Sequence, residues 1–131
     1  YFINSFYKPN IPITFSKKIN LFASASIDIS DGLYQDLNHL FFNSKLSYNL
    51  SLDKIPISRN LQKYMIIKKL QKSYFVNRGD DYQILFTANK KYRPLIQRIA
   101  RKSRTLVTKI GVVISGKPKI YPKMQGYIHK F

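Results

Sequence analysis

Between Ala25 and Phe42 the apolar period changes, and the change dictates where one element ends and another begins. Ile27 and Ile29 alternate with Asp28 and Ser30, the period of a strand with one buried face. From Leu33 onward the apolar residues recur as Leu37, Leu40 and Phe41, the spacing of one helix face, so a helix is expected over 31–42. Ser30 or Asp31 is expected to cap it by accepting hydrogen bonds from first-turn amides. Asp28 then stands at a strand's end and Asp31 at a helix's beginning, with Asp28 and Ser30 on the face opposite the isoleucines.

These two carboxylates belong to a scarce set. The chain has six acidic residues, all Asp, against 23 Lys and Arg, for a net charge of +17. Four of the six fall in two pairs, Asp28 with Asp31 and Asp80 with Asp81. A helix N-terminus attracts anions, yet two carboxylates at the same place would repel one. A bridging Mg²⁺ removes the conflict, because magnesium is bound through one or two carboxylates together with substrate phosphates. The second pair lies in Asn77-Arg78-Gly79-Asp80-Asp81-Tyr82, a turn that feeds the β-prone run Gln83 to Thr87. Adjacent carboxylates there raise each other's pKa unless a cation or donors offset them. A helix cap for Asp31 and an Asx-turn for Asp80 are the plainer readings of each pair taken alone.

Elsewhere the pattern gives strands at 24–29, 45–53, 82–88, 105–114 and 118–121, and helices at 59–72 and 91–102, after an opening segment broken by Pro9 and Pro12. Helices interleaved with strands that do not repeat as βαβ units imply an α+β fold. At 131 residues and 44% hydrophobic content the chain supports one domain and one core. It has no long apolar run of membrane-spanning length and no signal-peptide pattern. With no Cys, disulfides, thiolate metal sites and a Cys nucleophile are excluded.

The basic charge, with ten Tyr and nine Phe, raises the alternative of a nucleic-acid-binding or purely structural remnant. The basic residues are dispersed, however, and carry no helix-turn-helix or RNA-recognition signature. The aromatics mostly occupy apolar-periodic positions, as Tyr48 does between Leu46 and Leu50. Core is the expected role for them, and nucleic acid is not the expected partner.

Taken together and in order, the two acidic segments resemble the C-terminal domain of the thiamine-monophosphate kinase family, in the superfamily of aminoimidazole ribonucleotide synthetase. Asp28-Ile29-Ser30-Asp31-Gly32-Leu33, followed by Asp36-Leu37 and His39, matches the first family motif. Arg78-Gly79-Asp80-Asp81-Tyr82-Gln83-Ile84-Leu85-Phe86-Thr87 resembles the second, Gly-Gly-Glu-Asp-Tyr-Glu-Leu-Leu-Phe-Thr. Ile55-Pro56-Ile57-Ser58, Thr108-Lys109-Ile110-Gly111 and Gly126-Tyr127-Ile128-His129 are further echoes, and 1–22 resembles the linker helix region.

The resemblance implies a ferredoxin-like mixed or antiparallel sheet with packed helices, and ATP-dependent phosphorylation of thiamine monophosphate to thiamine diphosphate in the cytoplasm. It implies Mg²⁺ at Asp28 and Asp31, ATP at Ser30, and the substrate at Asp80 and Tyr127, with no residue assigned to covalent or acid–base catalysis. His39 is expected to pack or face solvent. An intact member would be a homodimer whose N-terminal ATP-binding domain is missing here. The chain starts at Tyr1, so a processed piece, a split chain or a gene remnant, inactive alone, is expected. Another ATP-using enzyme of the superfamily is the nearer alternative. Arg78 in place of Gly, Asp80 in place of Glu and Ile128 in place of Asp are departures on the substrate side.

Overall fold

A computed structural model describes residues 7, 10–79 and 82–117. In chain order the elements are α1 (Ile13–Ser16), a 3-10 turn (Ile19–Leu21), β1 (Ala23–Ile29), α2 (Leu33–Leu40), β2 (Leu46–Leu50), α3 (Arg59–Lys68), α4 (Lys72–Val76), β3 (Gln83–Ala88), α5 (Arg93–Lys102) and β4 (Gly111–Ser115), with short 3-10 turns at Leu52–Lys54 and Lys90–Tyr92. The expected α+β class forms. Among the described residues the strands pair antiparallel as β1 with β3 and β2 with β4, giving two ribbons. The strand expected at 118–121 lies outside the described residues.

The β1–β3 ribbon is packed on both faces. Side chains of paired residues in an antiparallel ladder point to the same side. Ile27 and Leu85 therefore share one face, while Ser26 with Phe86 and Asp28 with Ile84 share the other. On the first face α2 lays down Leu33, Leu37 and Phe41, which join Leu85, Tyr48 and Val76 in a buried core, with Ile27 and Ile29 packed against it. Each such side chain contributes about 1.5–3 kcal/mol when fully buried. On the second face Phe15, Phe22 and Ala100 form a separate core with Phe86 and the inward residues of α5, Leu95, Ile96 and Ile99. Phe22 meets Phe86 edge-on at 5.3 Å and Phe15 at 5.7 Å. This second core stops short of Asp28, which is exposed.

The aromatic residues divide: Phe15, Phe22, Phe41 and Tyr48 are buried as core, whereas Tyr7, Phe42, Tyr64, Tyr74 and Tyr82 are exposed. Tyr48 is buried with its ring 5.1 Å from that of Phe41. Several elements differ from the sequence reading. The strand expected over 45–53 ends at Leu50, and the chain turns into a 3-10 turn at Leu52–Lys54. The helix expected over 59–72 is divided, because Lys69 adopts a left-handed conformation (φ 52°, ψ 40°) that ends α3, and α4 starts afresh at Lys72. The Ser58 hydroxyl caps the start of α3 by accepting the Leu61 N–H at 3.2 Å. The strand expected over 105–114 begins only at Gly111, where β2 offers a partner.

Lys69 stands where glycine is the usual residue, since a Cβ is strained in the left-handed region. Lys69→Gly is expected to raise stability by ~0.5–1 kcal/mol, read as a higher urea midpoint at unchanged slope. A lower midpoint would show that the Lys69 side chain contributes more than its backbone costs.

Candidate functional site

The antiparallel register of β1 and β3 brings the two motif segments together. β1 ends where β3 begins, with Ile29 opposite Gln83 and the Tyr82 N–H donating to the Ile29 carbonyl at 3.1 Å. The turn before β3 packs backbone against backbone on the loop after β1. Gly79 has φ +73°, and a Cβ built there would collide with the Ser30 carbonyl oxygen. Gly32 has φ +116°, and a Cβ there would stand 2.6 Å from the Asn77 carbonyl oxygen. Glycine is needed at both positions, for conformation and for clearance alike.

Helix α2 starts later than the sequence suggests, and by a different device. Neither Ser30 nor Asp31 caps it, because the N-cap is Gly32 and no side chain bonds to the first-turn amides. The local order comes instead from Asp36, one turn into the helix. Its Oδ2 accepts the N–H groups of Ser30 at 3.1 Å, Asp31 at 3.2 Å and Gly32 at 3.2 Å. The Asp36 N–H donates in turn to the Gly32 carbonyl at 3.0 Å, locking the loop to the first helical turn. Asp36 is 1% exposed, so its carboxylate would be costly without those donors.

Burial holds the Asp36 carboxyl above the usual carboxylate range; the amides of Asp31, Ser30 and Gly32 pull it back down, and the Asp31 carboxylate pushes it up. Because the folded-state value is raised, the stability linked to Asp36 is present below the ordinary carboxylate pKa and is lost as pH rises through the raised one.

Asp31 is half-buried and accepts a hydrogen bond from Gln35 Nε2 at 3.1 Å. Asp31, Asp36 and His39 each bring one ligand-capable atom within 4.8 Å of the others. His39 Nδ1 lies 4.0 Å from Asp36 Oδ1, and the imidazole is largely exposed. The triplet is a poor cage for magnesium, which prefers oxygen ligands, because one member is imidazole and Asp36 is buried with its Oδ2 already accepting three amides. Asp28 stands apart from it, exposed on the strand face away from α2.

Charge compensation is the second notable property. Among the described residues no Lys or Arg lies within 4.0 Å of an Asp carboxylate, although the chain carries 23 of them. Asp28 and Asp31 therefore have no Lys or Arg of the described residues beside them. Arg78 sits next to Gly79 and lays its guanidinium 4.0 Å from the centre of the Tyr74 ring. Asp80 and Tyr127, expected on the substrate side, lie outside the described residues, as do Asp81 and His129.

Sequence reasoning quoted Asp36 within the motif but gave it no role. A signal was present, since Asp36 falls on the same helical stripe as Leu33, Leu37 and Leu40. A carboxylate on a buried stripe demands internal donors.

No protein-family model matches the chain. Thiamine-monophosphate kinase of Buchnera aphidicola subsp. Schizaphis graminum is 33% identical over 138 residues, covering 98% of this chain and 42% of that protein. The Aquifex aeolicus thiamine-monophosphate kinase is 36% identical over 122 residues, covering 88% and 38%. Among solved structures, thiamine monophosphate kinase from Aquifex aeolicus superimposes with a TM-score of 0.73 at 32% identity, over 88% of this chain and 37% of that one. AaThiL complexed with AMPPCP and TMP superimposes with a TM-score of 0.78 at 32% identity, over 98% and 40%. The chain spans about two fifths of the length of these relatives. Along nearly all of its own length the chain is similar, in sequence and in fold, to one part of thiamine-monophosphate kinases.

Proposed function

We propose that this chain is the C-terminal part of a thiamine-monophosphate kinase, in which ATP donates its γ-phosphoryl group to thiamine monophosphate and thiamine diphosphate is formed. The observation that carries the proposal is the junction of the Asp28–Asp31 loop with the Asn77–Gly79 turn, held backbone to backbone and bearing carboxylates that no Lys or Arg among the described residues neutralises. A solved relative bound to AMPPCP and TMP supports the choice of co-substrates.

Asp28 and Asp31 would hold Mg²⁺, which when bound neutralises charge on the transferring phosphoryl group. Ser30 has its N–H committed to Asp36 and its carbonyl pressed against Gly79, so its hydroxyl is the group left to bond a nucleotide phosphate. Asp80 and Tyr127 would orient thiamine monophosphate. Phosphoryl transfer to a phosphate acceptor needs no strong base, which agrees with a peripheral His39. An N-terminal domain would supply the rest of the ATP site, and the intact protein would work as a cytoplasmic homodimer. The positive field of the chain, +17, draws both anionic substrates toward the site.

The test is a mass-spectrometric assay for thiamine diphosphate from ATP, Mg²⁺ and thiamine monophosphate, run on this chain and on the complete protein that carries it. Product from the complete protein alone is expected. A folded complete protein that forms none overturns the proposal, and salt-dependent binding to DNA or RNA would then favour the nucleic-acid alternative.

Arg78 replaces a family glycine at the substrate side, and its stacked guanidinium keeps donors available for a phosphate. Arg78→Ala in the complete protein is expected to raise the KM for thiamine monophosphate roughly tenfold with kcat nearly unchanged. An unchanged KM would limit Arg78 to packing on Tyr74.

A further inference from the structure

Three consecutive amides that converge on one point are the geometry of an anion cradle, and its usual occupant is a phosphate or carboxylate from a ligand. Here the N–H groups of Ser30, Asp31 and Gly32 converge at 3.1–3.2 Å on a single oxygen of the chain's own Asp36. The cradle is therefore filled from within. No amide of this loop is left to meet a substrate phosphate, and what the loop presents outward is the Ser30 hydroxyl and the carboxylates of Asp28 and Asp31.

We propose that Asp36 is a positioning residue: by occupying the amide cradle of residues 30–32 it converts a strand-to-helix loop that would otherwise bind anions into one that binds a divalent cation. The inference deepens the kinase reading and rests on its assignment of a cation to Asp28 and Asp31. Three features of the geometry carry it. The donor groups point to the buried side, where Asp36 is 1% exposed. The return bond from the Asp36 N–H to the Gly32 carbonyl, at 3.0 Å, makes the loop and the first turn of α2 one closed unit. The loop is also backed by Asn77 and Gly79, whose main chain lies so close that a Cβ at Gly32 or Gly79 would collide across the junction. A substrate phosphate thus reaches this loop through a cation or through the Ser30 hydroxyl, never through the amides.

All three bonds go to one oxygen, so an amide side chain can replace the carboxylate while an alkyl one cannot. The experiment is made on the complete natural protein, with Mn²⁺ as the probe, titrated by electron paramagnetic resonance, and with hydrogen exchange at residues 30–32 as the structural readout. Asp36→Ala is expected to raise the Mn²⁺ dissociation constant tenfold or more and to accelerate exchange at 30–32. Asp36→Asn is expected to stay within about threefold of wild type in both, since one acceptor oxygen serves all three donors. A folded Asp36→Ala protein with unchanged Mn²⁺ affinity would overturn the inference, and so would an Asp36→Asn protein as impaired as Asp36→Ala. Should Asp36→Ala fail to fold, wild type and Asp36→Asn decide it. Slow exchange with retained Mn²⁺ in both supports the proposal, and fast exchange at 30–32 in wild type overturns it. Wild-type protein that binds no Mn²⁺ also overturns it, whereas Mn²⁺ binding without conversion of thiamine monophosphate removes the kinase reading and leaves the cation loop standing.

Discussion

Asp31→Asn in the complete protein is expected to lower kcat for thiamine diphosphate formation by about a hundredfold to a thousandfold, the usual cost of deleting one electrostatic partner of a transition state. Each factor of ten corresponds to ~1.4 kcal/mol of lost transition-state stabilisation. The substitution is chosen because it separates charge from structure. Asparagine has nearly the size of aspartate, and its side-chain oxygen can still accept the Gln35 Nε2–H bond now made by Asp31 at 3.1 Å. The Asp31 backbone N–H still reaches Asp36. The thermal midpoint should therefore stay close to wild type while turnover collapses and the Mg²⁺ requirement rises. A variant that retained more than a tenth of wild-type turnover at saturating Mg²⁺ would remove Asp31 from the cation site.

The second large effect is on the fold. Gly79→Ala and Gly32→Ala are each expected to cost about 2–4 kcal/mol, because each adds backbone strain at positive φ to a collision with main-chain atoms that cannot swing aside. At Gly79 the new methyl group would run into the Ser30 carbonyl and lie 3.1 Å from the Asp31 carbonyl carbon. At Gly32 it would lie 2.6 Å from the Asn77 oxygen and 2.8 Å from its carbonyl carbon. Both substitutions push the same two loops apart, so once one has been made the other should cost less, and the double variant should fall short of the sum. Urea denaturation measures each. A loss under about 1 kcal/mol at either position would mean that the loops separate easily and that their apposition does not hold the site.

Much of the fold was legible because period and burial coincide. β1, α2, β3 and α5 appear where the alternation of Ile27 and Ile29, the Leu33 stripe, the Ile84–Phe86 run and the apolar face of 95–100 place them. The division after α3 was not legible, since Lys69 enters the left-handed region without the glycine that marks such an end. The late start of β4 was hidden for another reason. Residues 105–110 are rich in β-branched Thr, Val and Ile like a strand, but ladder pairing is set by a tertiary partner, and β2 meets the chain from Gly111 onward.

At the site, Asp28 and Asp31 stood out by scarcity. The cap expected from Ser30 or Asp31 did not form: the helix starts at Leu33 after Gly32, and the amides of residues 30–32 converge on Asp36 instead. That convergence is three-dimensional, and no spacing in the chain records it.

The ribbons carry a consequence for how the chain reaches its fold. β1 finds β3 across the whole of β2, and β2 finds β4 across the whole of β3, so the pairings interleave. Neither ribbon is a hairpin, and each must close a long loop before its ladder returns any stabilisation. Helices can form early and locally, but among the described residues neither strand pairing is short-range, which places the chain among slower, high-contact-order folders. Interleaving also means that every cut between β1 and β4 separates the partners of at least one ribbon, and a cut between β2 and β3 separates both. A nascent chain thus gains no completed ribbon until β3 has left the ribosome.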